Sequence, residues 1–415
     1  MESEFRPKIR WPIEVNQHQH EGKPILVFRC PLGYSKKPLV LNGVVAPILS
    51  VFDGSKTIAE IAEQFRSAGA SFEIIAELAK VLDENLFLES PRFEQESKKV
   101  RKQFAALERR EPALAGLGYS SISTSLIEEL GKILQKGQSL AYPLQGGMLG
   151  LVSPHIDFRR GSSGYGEAYA GLKNEVHTLY LVFGTAHQYS PLLFHLTKKH
   201  FATPLGELTT DIAFVKDLAE RYGIERAFED ELLHKQEHSI ELQTPFLQLL
   251  KPDAKYVPIL VGGFYDYVQK NTSPEKDEKY ERFVESICEV IQHRVTLGER
   301  IGIIAGVDMA HIGQFFGDKE PLTPDTMKRI EERDRQYLES IVLQDKEMMF
   351  SHIAEDRDAR RICGFPTMYT VIDIYNRLNL QYQAEVFGYH QAVDYESDCA
   401  VTFAAAGLYE KLPLV

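Results

Sequence analysis

The sequence predicts an α/β domain on a mainly parallel sheet, preceded by a small α+β unit of winged-helix type. Three observations carry this reading. Beyond residue 113, short apolar runs alternate with amphipathic helical stretches, the order that builds parallel sheets. Before residue 95 the order differs: two strand-like runs, three helical stretches and a closing apolar run. Between them, "FEQESKKVRKQFAALERRE" (93–111) is dense in charge and poor in apolar residues, as an exposed connecting helix would be, and Pro112 ends it. The expected organisation is therefore a unit at 1–95, a linker helix at 96–112 and a large domain at 113–415.

In the small unit, "ILVFRC" and "PLVLN" read as strands, "GVVAPILSVF" as a helix, and "DGSKTIAEIAEQFRSAG" as a turn running into a second helix. Thr57 and Glu60 have capping-box spacing, in which hydroxyl and carboxylate satisfy free N–H groups at the helix start. Ser71 is the expected N-cap of a third helix, "SFEIIAELAKVLDEN", and "LFLES" is expected to close the unit as a strand. In the large domain the expected strands are "MLGLVS", "TLYLVFG", "KYVPILVGG", "RIGIIAGV", "AEVFGYH" and "CAVTFAA". The expected helices include "STSLIEELGKILQ", "DIAFVKDLAERYG", "SIELQTPFLQLL", "KYERFVESICEVIQHRV" and "MYTVIDIYNRL".

Composition excludes several classes. A 44% apolar and 26% charged chain of 415 residues has ample material for packed cores. Its net charge of -12 repels phosphate backbones and anionic membranes, and no basic block offsets it. A winged helix invites a nucleic-acid hypothesis, but residues 1–95 carry 11 basic against 13 acidic residues. The third helix, which would enter a groove, offers Glu73, Glu77, Asp83 and Glu84 against Lys80, so no nucleic-acid partner is expected. The N-terminus lacks an apolar signal region and no run approaches the ~18 apolar residues of a membrane span, so a cytoplasmic protein without a membrane partner is expected. Cys30, Cys288, Cys363 and Cys399 are scattered and form no CxxC pair, which argues for reduced thiols. Cys30, Cys288 and Cys399 lie in apolar patterns and read as core.

The candidate chemistry follows the strands. His155 and Asp157 of "SPHIDFRR" come after "MLGLVS", His187 after "TLYLVFG", and Asp308 and His311 of "GVDMAHIG" after "RIGIIAGV". Ligands of open α/β sheets bind outside the carboxyl ends of strands, so these loops are expected to converge. Singly, each histidine reads as a hydrogen-bonded loop residue; three at equivalent positions argue for a site. Asp308 beside His311 could fix a histidine tautomer, or else cap a following helix. "HKQEHSIELQTP" supplies His234, Glu237, His238 and Glu241; its two histidines have i,i+4 spacing, but the order is not the HExxH of zinc proteases. Cys363 of "RICGFPTMY" stands at a helix entry, where the local field favours a thiolate. Asp157 could orient His155 or accept from an arginine, and Arg159 and Arg160 could pair or face an anion.

Two resemblances join these pieces. The frame "LNG…DGSKTIAEIA…L" resembles the PqqD-like winged-helix modules, which implies recognition of a peptide or protein segment by strand addition. From about Ala113 to Leu412 the ordered pieces "AGLGYSSISTSLIEELGKIL", "SPHIDFRRGSSGYGEAYAGL", "LVFGTAHQ", "TPLGELTTD", "EHSIELQTPFL", "GVDMAHIG", "CGFP" and "SDCAVTFAAAGLY" resemble the Memo family, called AmmeMemoRadiSam system protein B in prokaryotes. That likeness implies a fold similar to the class III extradiol dioxygenases (LigB-like), with metal ligands at His155, His187 and Cys363. It places Asp308, His311 and His238 in the same cleft as acid–base groups, with Asp157, Arg159, Glu237 and Gln188 around them. Gln188 stands where eukaryotic relatives have a second histidine, so the cleft wall differs. A His/His/Cys set is softer than the dioxygenases' two-histidine, one-carboxylate set and suits a mononuclear iron or copper ion, with zinc also accommodated. The implied function is a metal-dependent redox protein, dioxygenase-like if it is an enzyme, working with a radical SAM protein and an AMMECR-type protein. The alternatives are a non-catalytic scaffold for such partners and a metal-assisted hydrolase.

Overall fold

The computed structural model describes residues 4–138 and 147–411, and divides the chain into two compact units between Leu107 and Glu108. The first unit contains an antiparallel sheet in the order β1 (Glu14–His20), β2 (Lys23–Arg29) and β3 (Leu39–Asn42). Helices follow at Ile58–Gln64, Phe72–Glu84 and Pro91–Ala105. Thr57 and Glu60 form the reciprocal capping box, and Ser71 and Ser90 cap the next two helices through their hydroxyls. Phe28, Phe52, Ile58, Ile61, Ile75, Leu82 and Phe87 are buried together as its core.

Four features here depart from expectation. The stretch Gly43–Phe52 is not one helix but a 3₁₀ turn at Gly43–Val45 and a single helical turn at Ala46–Leu49. "LFLES" contributes one bridge, Leu88 to Ile9, instead of a strand. Strand β1 was not expected, because EVNQHQH is exposed along its whole length and alternates nothing; pairing with β2 holds it. The last helix also stops short of the expected linker end: Arg109–Arg110 are strand β4 of the second unit, pairing with His200 and Phe201.

The second unit contains the remaining strands: β5 (Met148–Ser153), β6 (Leu179–Thr185), β7 (Phe194–Leu196), β8 (His200–Thr203), β9 (Gly206–Leu208), β10 (Lys255–Val261), β11 (Ile301–Gly306), β12 (His311–Ile312), β13 (Tyr382–Asp394) and β14 (Cys399–Glu410). Its main sheet runs β12-β14-β5-β11-β6-β10-β7, with β13 on β14. Strands β5, β11, β6 and β10 are parallel neighbours, and their near-continuous burial fits a sheet covered on both faces. The expected helices all form, including Ile212–Tyr222, Glu278–Thr296 and Phe365–Arg377, although "SIELQTPFLQLL" divides into a 3₁₀ turn and the helix Thr244–Leu250.

The sheet is mixed outside its parallel centre. The two strands expected to extend it, "AEVFGYH" and "CAVTFAA", form a long antiparallel hairpin, and β14 also runs antiparallel to β5. The cause is the short connection Tyr395–Asp398, far below the length of a parallel crossover. In it the Asp394 carboxylate accepts from the Glu396 and Ser397 N–H groups and the Ser397 hydroxyl. Among the described residues no helix is long and apolar enough to cross a membrane.

Candidate metal centre

Register places the site. Ser153, Thr185 and Gly306 are the last residues of the three adjacent parallel strands β5, β6 and β11, and Gly306 pairs with both Ser153 and Gly184. His155, His187 and Asp308 each lie two residues beyond one of these ends, so the backbone delivers them to one edge of the sheet. The turn carrying His238 packs directly onto that edge. A Cβ at Gly184 would meet Ser239 Oγ at 2.5 Å, and one at Gly306 would meet Ser239 O at 2.8 Å, so both close approaches require glycine. Gln243, fully buried, donates through Nε2 to the carbonyls of Pro154 and Ser239 and so ties the His155 loop to the His238 turn.

His155, His187 and His238 form a group whose ligand atoms all lie within 4.8 Å of one another and could hold a metal ion. Their ring centroids are 4.9, 5.3 and 4.6 Å apart, and the rings of His187 and His238 stack. His155 is buried; its main-chain N–H donates to Asp308 Oδ1 at 2.9 Å, and its Nδ1 lies 2.8 Å from the Gly306 carbonyl. A carbonyl only accepts, so the proton sits on Nδ1 and leaves Nε2 bare. Glu237 organises the other two. Its carboxylate accepts from the main-chain N–H groups of His187, His238 and Ser239, with Oε1 2.9 Å from His187 Nδ1 and 3.2 Å from His238 Nδ1. A carboxylate behind a histidine fixes the ring and raises its basicity as a ligand.

The electrostatics fit this division. Burial, reinforced by repulsion from His187 and His238, keeps the His155 imidazole well below its ordinary range and therefore neutral, the state a metal requires. Burial alone would raise the Glu237 carboxyl, but the charges and hydrogen bonds of His187 and His238 hold it well below the usual carboxylate range. Burial likewise opposes charging of His238, and Glu237 reverses the balance and raises it. Asp308 is pushed up to about 6 by burial, against the His155 N–H bond that stabilises its charge.

The remaining expected residues divide. Cys363 lies against the Nε2 side of His155, with Sγ 3.2 Å from that nitrogen, and is outside the group of three. Its position just before the helix Phe365–Arg377 does not favour the thiolate as expected: burial, and then the charge of Asp308, push the thiol well above its ordinary value. His311 lines the same cleft as the histidines, but its Nδ1 meets the Met309 carbonyl at 3.1 Å, so Asp308 serves His155 and not His311, and no helix follows for it to cap. Burial lowers His311 to about 4. Asp157 caps the helix Phe158–Tyr169 and pairs with Arg160 at 2.5 Å; Arg159, its neighbour, lines the cleft. Gln188 follows His187 and is not among the described residues lining the cleft. His234 and His238 share no helical face, because the 3₁₀ turn Glu231–Lys235 ends before His238. Cys399, expected in the core, is partly exposed at the cleft, and Cys30, also partly exposed, accepts from Arg10. Cys288 is buried, with its thiol pushed up to about 12 by burial.

One supporting assembly was invisible in the sequence. Arg110, in the stretch read as exposed linker, is fully buried; it donates to the carbonyls of His234 and Glu237 and pairs with Glu241 at 2.5 Å. Glu241 also accepts from the main-chain N–H groups of Ala113 and Leu114 and from the Tyr119 hydroxyl. A buried ion pair whose two members are each hydrogen-bonded to main-chain groups ties the histidine turn to the 113–119 segment, and both line a cleft of about 1260 Å³. "EHSIELQ" contained Glu241 as a candidate; nothing marked Arg110 as its partner.

Residues 110–409 match the family model described as Memo-like protein. A MEMO1 family protein of Aquifex aeolicus is 27% identical over 408 residues, covering 98% of this chain and all of the relative. MEMO1 family proteins of Pyrococcus horikoshii and Methanosarcina mazei are 28% and 26% identical, over 68% and 72% of this chain and 92% and 98% of their own lengths. The full-length bacterial match includes the first unit, whereas the two archaeal proteins use nearly all their length on about two thirds of this chain. With its family model spanning all three strand-end loops, the Glu237 turn and the closing hairpin, this chain belongs to the Memo family.

Proposed function

We propose that this chain is a metal-binding redox protein whose mononuclear ion is held by His155, His187 and His238 in a cleft of the class III extradiol dioxygenase type. The observation that carries the reading is the three ligand atoms within 4.8 Å of one another at the foot of an open cleft. The donor set fits an ion: His155 is held neutral with Nε2 unprotonated, and Glu237 stands behind the other two rings. Imidazole donors suit iron, copper and zinc, and such an ion supplies a place to bind and polarise oxygen or a redox-active substrate. Asp308 holds the His155 main chain in place, and His311 adds a further neutral imidazole at the cleft.

A second ligand set, His155, His187 and Cys363, is favoured by the 3.2 Å contact between the Cys363 thiol and His155 Nε2. Metal content of protein prepared without oxygen separates the two. The three-histidine set expects His238→Ala to lose the ion and Cys363→Ala to keep it; the reverse pattern assigns the thiolate set. Full metal content in both variants, or no stoichiometric metal in the parent, overturns the metal reading.

We also propose that the first unit is a PqqD-like peptide-recognition module through which the protein meets a radical SAM protein or an AMMECR-type protein. The supporting observation is β1, an edge strand exposed at all seven residues, the kind of edge to which a peptide adds as a further strand. Hydrogen exchange of the β1 amides in the full chain should slow when such a partner is added; unchanged exchange with a bound partner would remove this mode.

A further inference from the structure

The cleft that carries the histidines has a second chemical character. Large apolar side chains are left in contact with water around it: Leu117 is 84% exposed, Phe315 69% and Ile122 62%, and all three line the same cleft. Exposed apolar groups gathered at one concavity mark a binding surface, unlike the same residues scattered singly. The wall is built and not merely loose. The Leu114 carbonyl accepts from the N–H groups of Leu117, Gly118 and Tyr119, and Glu241 holds Ala113 and Leu114 from behind.

Charge adds the second observation. In a chain with a net charge of -12, the acidic groups of this cleft are engaged: Asp157 by Arg160, Glu129 by the Ser120 N–H, Asp308 by the His155 N–H. Arg159, exposed and lining the cleft beside them, has no hydrogen-bond or ion-pair partner among the described residues. A guanidinium without a carboxylate offers a two-pronged donor to an anion. The other arginine of the cleft, Arg160, is already paired with Asp157, so one unpaired guanidinium remains among the described residues, and a singly charged carboxylate matches it better than a doubly charged phosphate.

We infer that this cleft binds a small amphipathic carboxylate, its carboxyl group on Arg159 and its apolar body on Leu117, Ile122 and Phe315, presented to the three histidines. The inference names the substrate class of the proposed metal site and rests on that reading only for what the histidines then do. Binding to Arg159 itself needs no ion, which allows the two to be tested apart.

The probe is 4-phenylbutyrate, titrated calorimetrically into the full chain after treatment with chelator. Saturable binding is expected, at least ten times tighter than that of the neutral 4-phenylbutyramide and tighter than that of phenyl phosphate. Arg159→Gln should abolish the preference for acid over amide, and Arg159→Glu should reverse it toward 4-phenylbutylamine. Phe315→Ser should weaken acid and amide alike. Because both positions are exposed, thermal melts of the variants should match the parent. Equal affinity for acid and amide, tighter phenyl phosphate binding, or an unaltered preference in Arg159→Gln overturns the inference. Metal content, measured separately, decides the metal reading without touching this one.

Discussion

Two histidine clusters lie in the same unit and do opposite things. His155, His187 and His238 meet at a cleft, backed by a carbonyl and by the Glu237 carboxylate. His195 and His234 are buried in the interior, where His234 Nε2 donates to the His195 carbonyl at 3.0 Å and Phe201 stands edge-on to the His234 ring. Burial lowers His195 to about 4 and His234 to about 3, with no carboxylate in hydrogen-bond contact to oppose it. His234 and His238 are four residues apart, yet one is core and the other a candidate ligand. What separates them is the partner placed against each ring, not residue type or spacing.

The largest effect should come from the link between the clusters. Arg110 donates to both the His234 and Glu237 carbonyls, and Arg110→Met strands the Glu241 carboxylate in the interior. Loss of one partner of a buried pair costs about 3–5 kcal/mol, readable in denaturant unfolding, and Arg110→Met with Glu241→Leu should recover part of it. Next, Glu237→Gln removes the charge behind His187 and His238 and should weaken metal binding about 10–100-fold in a competition titration, whereas His234→Asn should leave that affinity alone.

The interior pair gives a pH dependence. A histidine whose folded value is depressed binds fewer protons folded than unfolded, so its contribution is present above about pH 6.5 and is lost as pH falls toward 3–4. Between pH 7 and pH 5 each of His195 and His234 should cost about 2 kcal/mol of stability, seen as a falling urea midpoint, and His195→Leu should remove its share of the slope. The smallest effect belongs to Tyr169→Phe. Its hydroxyl donates to Gln243 Oε1 at 2.8 Å, and losing that bond should cost about 1 kcal/mol in the same unfolding measurement.

Much of the fold was legible because its signals are local. All six strands expected in the large unit form, four of them within two residues of their expected ends and the last two running longer as a hairpin, and the Thr57–Glu60 box forms as spaced. His155, His187 and Asp308 were legible for a related reason: each follows an apolar run, and parallel strands bring their ends together. His238 follows no strand, so its membership of the group came only from the turn that packs on Gly184 and Gly306. Cys363 was misjudged in its ionisation because a helix entry is a local feature, while the burial and the Asp308 charge that govern its thiol come from other parts of the chain. Arg110 read as solvated because charged stretches usually are, and its carboxylate partner lies far along the chain.

The sequence by itself determined most of the order of strands and helices and the residues available at the ends of the parallel strands, since these follow from short-range periodicity and from caps and turns. Only the tertiary structure decided which histidines share a cleft, which carboxylate stands behind them and which arginine is left without a partner among the described residues beside them. Those outcomes depend on which distant groups exclude water around a ring or a charge, and the free energy of a charge in a low-dielectric site is set by those neighbours and not by its own place in the chain.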